Sequence, residues 1–190
     1  MTNPSPTKQR NLAAAFWGIG GTVVMLAEAI YRLTAIAVST LRREGLTAGQ
    51  AAFLAAWCAF IVYVEGYRAF QKRFSPRTVA RAFYLAEHPR PLHVALAPLY
   101  CMALIHTTRR RLIASWILVV GIVSVILLVR LLPPVYRAII DGGVACALAW
   151  GTGVMLVYFV KGLRGAKIPI DPDVPEEQAA RVKAESARSA

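Results

Sequence analysis

The sequence predicts an all-α integral membrane protein: a four-span transmembrane helix bundle with an amphipathic interfacial helix and a short re-entrant or interfacial apolar segment. Three observations carry this. Leu112 to Leu132 is an almost unbroken apolar run, introduced by Arg109, Arg110 and Arg111 and ended by Arg130 and Pro133-Pro134. At a helical rise of ~1.5 Å per residue it reaches about 30 Å, the thickness of a bilayer's hydrocarbon core. Apolar runs between basic connectors recur along the rest of the chain. With 57% of its 190 residues hydrophobic and a mean hydropathy of +0.50, the chain is too apolar for an ordinary soluble domain.

Residues 1–10, with Pro4, Pro6, Lys8 and Arg10, form a disordered basic lead-in. The bundle occupies 11–167, with spans at about 12–40, 49–68, 111–132 and 137–160, and 168–190 is a polar tail. Ala27-Glu28-Ala29 imitates a signal-peptide cleavage site, but Glu28 fits such a site poorly and the apolar run continues to Leu41, so the first run is a span. The short polar connection after Leu41 makes the first two spans antiparallel neighbours. Ser75-Pro76 pairs a capping hydroxyl with proline at the first helical position and predicts a separate helix over 75–87 lying at the membrane interface, with Arg77 and Arg81 one turn apart and Val79, Phe83 and Ala86 on another face. Leu92 to Ile105, interrupted by Pro98, is too short to span and predicts the re-entrant or surface-lying segment. In the fourth span Gly143, Ala147 and Gly151 recur every four residues, with Ala145, Ala149 and Gly153 beside them, a helix-packing seam of small residues.

The formal net charge of +12 would suggest nucleic acid in a soluble protein, yet most of the Lys and Arg flank apolar runs. With the amino terminus inside, all of the 22 basic residues except Arg32, Arg42, Arg43, Arg68, Arg130 and Arg137 fall on the inner side. The expectation is therefore both termini in the cytoplasm, a bacterial inner membrane, anionic lipid headgroups as the partners of the basic connectors, and no nucleic acid.

Ionisable groups inside apolar runs are the functional pointers, because a charge in hydrocarbon costs ~2.5 to 3.5 kcal/mol even on lenient insertion scales. Glu28, Arg32, Arg130, Arg137 and Asp141 are expected in the middle and outer part of the bilayer, with Glu28–Arg32 and Arg137–Asp141 each four residues apart, as a candidate intramembrane charge cluster. Two readings stand: an outward-opening pocket in which Arg130 attracts an anion, or snorkelling and mutual neutralisation that fix how the bundle packs. Glu65 and Arg68 form a candidate polar site at the inner interface.

Catalytic and cofactor patterns are not indicated. His88, His93 and His106 share one connector without a metal-ligand spacing, and no span offers a histidine for haem. Cys58, Cys101 and Cys146 lie singly in apolar sequence. Ser75, Ser115 and Ser124 lack a positioned base, and Gly18, Gly20 and Gly21 lack the lysine of a phosphate loop. No catalytic residue, metal or cofactor is assigned. The leading expectation is a structural or interaction component of the membrane, associating with itself or with another membrane protein. A small transporter or channel using the charge cluster stands second, and a lipid-modifying enzyme near Glu65, Arg68 and His88 third.

Overall fold

The computed structural model describes residues 11–166, 168, 170, 172, 174 and 175; the expected basic lead-in and most of the expected tail lie outside the described residues. The described residues are helical, without strands, in the order α1 (Leu12–Glu44), α2 (Ala48–Ile61), a π-helical segment (Val62–Phe74), α3 (Ser75–Glu87), α4 (Pro91–Ala95), α5 (Ala97–Cys101), α6 (Arg109–Val129) and α7 (Pro134–Leu163). Among the described residues four helices are long and apolar enough to cross a membrane: α1, the continuous rod Ala48–Glu87, α6 and α7.

Local signals set the ends. Asn11 caps α1 by accepting from Ala14 N at 3.3 Å, while its own N–H donates to Ala86 O at 2.8 Å and ties α1 to the end of α3. At the far end Gly45 takes φ +73, and Thr47 and Gln50 form a reciprocal capping box that starts α2. One end of the bundle thus holds the tight turns 45–47 and 130–133. The opposite, connector end holds the start of α1, the segment 88–108 and the end of α7.

The helix expected over 75–87 is present as α3, but it is not separate, because no break precedes Ser75. Ser75 is itself helical, with φ −58 and ψ −49, and its N–H reaches Phe70 O, five residues back. Pro76 has no N–H to give and would crowd the carbonyl four residues earlier; the wider π turn ahead of it moves that carbonyl aside, so the rod runs on to Glu87. Nor does α3 present a solvated face, since only Arg77, Tyr84 and Glu87 escape burial. It packs against α1, α5 and α7 as part of the core.

α1 and α2 are antiparallel, and although α1 meets the end of the same rod at α3, it does not pack along α2; α7 lies between α1 and α2. The reason is its small residues. A Cβ at Gly142 would sit 3.6 Å from Ala37 of α1 and 3.9 Å from Leu54 of α2, so this backbone fills the notch between both partners. Across from α2 and its extension, aromatic rings occupy glycine notches: Trp57 faces Gly143, Phe70 faces Gly151 and Phe83 faces Gly162. Ala147 is buried on the same stripe, whereas Gly153 opens onto empty space.

Between Glu87 and Arg109 the chain makes two one-turn helices that break at Leu96, ahead of Pro98. They lie against the first half of α1, where Gly21 receives the Pro98 ring and Gly18 the Cys101 thiol. The core sits at this end, built from Ile19, Val79, Leu85, Tyr100, Met155 and Phe159. Val174, expected in a polar tail, is fully buried within it. In contrast, α6 makes almost no contact with the other helices, and Ser115 is its one buried residue.

Candidate functional site

The charges singled out in the sequence sit in two kinds of surroundings. Glu28 and Arg32 are one turn apart on α1, with Arg32 Nε donating to Glu28 Oε1 at 2.6 Å. The pair faces outward: the Glu28 side chain is 56% exposed and that of Arg32 72%. Arg137 and Asp141 pair along α7 at 3.5 Å, and Asp141 is buried where α7 meets the bundle. Arg130 ends the isolated α6 and is exposed. No ion pair or hydrogen bond among the described residues joins these three groups. The five residues therefore fall into three groups: an outward pair, a pair at the bundle's contact with α7 and a single exposed cation.

Glu65 and Arg68 are exposed on the π-helical segment, and no ion pair or hydrogen bond with a described residue joins them to each other or to His88. Their neighbours make the local contacts: Tyr63 stacks on Tyr67, Lys72 lies 4.6 Å from the Tyr67 ring centre, and Trp150 Nε1 donates to Gln71 Oε1 at 3.0 Å. Gly66 sits against the Trp150 ring.

The most elaborate polar construction is one the sequence reading placed at the membrane surface. Arg81 is fully buried. Its Nε donates to Tyr100 O at 2.6 Å, Nη1 to Pro172 O at 2.8 Å, and Nη2 to both Ile105 O and His106 O at 3.1 Å. The guanidinium also lies 4.3 Å from the Tyr100 ring centre. A buried cation is tolerable only with such partners, and the planar fork suits carbonyls converging from several segments. Arg81 so joins α3 to the end of α5, to the turn before α6 and to the tail. That turn is backbone-strained, with Ala103 at φ +59 and His106 at φ +47, a region that costs L-residues energy and needs support from around it. The sequence signal for this burial was the small character of Thr78, Ala80, Ala82 and Ala86, which leaves α3 too few polar groups for a solvated face.

Two of the three histidines meet here. His93 and His106 have ring centres 4.4 Å apart, and His93 stacks on Tyr100 at 5.1 Å, whereas His88 stacks separately on Tyr84 at 4.6 Å. The His93 and His106 planes are inclined to each other by 41°, so the pair meets as tilted rings and not as a flat stack. Among the described residues no group of three His, Cys, Asp or Glu could hold a metal ion. Beside this knot the Cys101 thiol is pushed up to about 12 by burial, against a smaller opposing pull from Arg81. It is a packed, neutral thiol and not a nucleophile.

A shallow apolar groove runs along one face of α6, lined by Leu112, Ile113, Trp116, Ile117, Val120 and Gly121. Comparison with protein families, curated proteins and solved structures returns no match for this chain.

Proposed function

We propose that this protein is a multi-pass membrane component that works by lateral association within the bilayer, with both termini in the cytoplasm of a bacterium and its basic connectors against anionic headgroups. The observation that carries the reading is α6. From Trp116 to Leu128 every residue except Val119 is exposed, so this helix is long and apolar enough to span while adding almost nothing to the bundle's core. In hydrocarbon such a helix is stable alone, and its association is governed by van der Waals fit with another helix. The groove beside Trp116 and Gly121 follows the four-residue spacing that the ridge of a neighbouring transmembrane helix fills. Elsewhere the polar groups are engaged in the fold, as at Arg81, or dispersed, as in the three separate groups of intramembrane charges. That dispersal favours association over transport through a shared pocket.

A photo-cross-linking residue placed at Ile117, and as a comparison at Leu131, tests the reading in native membranes. Discrete protein adducts from Ile117 are expected. Lipid adducts alone from Ile117, in a chain whose α1 and α7 remain packed, would overturn it.

A further inference from the structure

The outward ion pair on α1 has a definite depth. Glu28 is the central residue of a 33-residue helix, which at ~1.5 Å per residue is about 50 Å long. Any stretch of about 30 Å taken from such a helix contains its centre. Glu28 is thus inside the hydrocarbon wherever α1 sits in the bilayer. Ionised groups at that depth belong against protein or water, yet among the described residues no other helix covers them. Around them Val24, Met25 and Tyr31 are 68%, 50% and 72% exposed, and Ala35 and Ser39 continue the stripe with small side chains. After their mutual bond, Oε2 of Glu28 and both Nη atoms of Arg32 make no further hydrogen bond to described residues.

Resting on the reading as a laterally associating membrane component, we propose that a second copy of this chain covers this stripe, with α1 against α1 about a two-fold axis along the membrane normal. Charge complementarity selects that occupant. The patch holds one acid and one base a single turn apart, so it is complementary to itself: Glu28 of each copy takes the free donors of Arg32 on the other, closing a ring of four charges. Copies inserted with the same orientation meet as parallel helices, and an isologous contact then places each acid within one turn of the opposite base. Ala35 and Ser39 let the backbones approach on the same side.

The test is energy transfer between donor- and acceptor-labelled full-length chains in vesicles of phosphatidylethanolamine and phosphatidylglycerol, titrated by lipid dilution. Native chains are expected to associate. Glu28→Arg alone and Arg32→Glu alone each create a like-charged patch and should weaken self-association about tenfold. Mixing those two variants should restore transfer, and the exchanged chain carrying both Glu28→Arg and Arg32→Glu should associate with itself as the native chain does, which separates a lost interface from a lost fold. Native chains that stay monomeric, single variants that associate undiminished, or a mixture that fails to recover would each overturn the proposal. Monomeric native chains would leave lipid headgroups, water or another protein over the pair. Failure here with Ile117 adducts intact refutes the α1 contact alone; intact transfer with only lipid adducts at Ile117 refutes the role of α6 instead.

Discussion

Arg81 places a positive charge where no water reaches, and four main-chain carbonyls from three segments answer it. Arg81→Met would keep much of the volume but strand those carbonyls, at a cost of about 3–5 kcal/mol. Arg81→Lys, a point cation without the fork, should lie between, and the thermal unfolding midpoint of the detergent-solubilised protein would rank the three. Cys101 beside it carries a pH dependence. Its native thiol ionises only near pH 12, against a reference value of 9.0. Between those values the folded state holds the proton that the unfolded chain has lost. The thiol's contribution is therefore complete below pH 9 and falls as pH rises toward 12. Maleimide labelling at pH 8 should be slow at Cys101 until the protein is denatured, and Cys101→Ala should lessen the alkaline loss of stability.

The fourth long helix shows how an element's packing follows from single missing side chains. The small-residue seam expected to bring backbones together instead accepts rings: Trp57 at Gly143, Phe70 at Gly151 and Phe83 at Gly162. A methyl group at Gly143 would lie 2.5 Å from the Trp57 ring. Gly143→Ala and Gly151→Ala should each cost about 1–3 kcal/mol through overpacking. Gly153→Ala meets nothing within 4 Å and should be neutral or slightly stabilising, as alanine is the better helix former. Equal losses at all three positions, measured by thermal unfolding, would refute this division of the helix into filled and open notches. The π-helical segment has its own reason: it carries the rod past Pro76 and brings the Ser75 hydroxyl to donate to Gly151 O at 3.0 Å.

At the scale of the molecule, α1 and α7 run antiparallel and meet at the connector end, where the Phe16 and Phe159 rings are 5.1 Å apart edge to face. Asn11 and Leu163 thus lie on the same side of the bundle. Reporter fusions before Asn11 and after Leu163 should have the same sidedness, and in the orientation proposed from the basic connectors that side is the cytoplasmic one. Opposite sidedness would contradict the four-crossing arrangement.

That four helices would be long and apolar enough to span was legible in the sequence, because crossing a bilayer depends on an uninterrupted apolar length, which is a local property; that the second would run on as a rod to Glu87 was not. Pro98 and the shortness of its run likewise kept 92–105 from being a fifth span. The direction in which each helix faces was not legible. Lipid and protein interior are both apolar, so a membrane helix carries no strong amphipathic mark of its packed side. Only the tertiary structure could set α7 between α1 and α2, turn Glu28 and Arg32 outward, hold α6 apart and draw Arg81 under the folded connector. Those outcomes depend on which small residues let which neighbour approach and on where chain-distant carbonyls converge, and neither is written in any one segment.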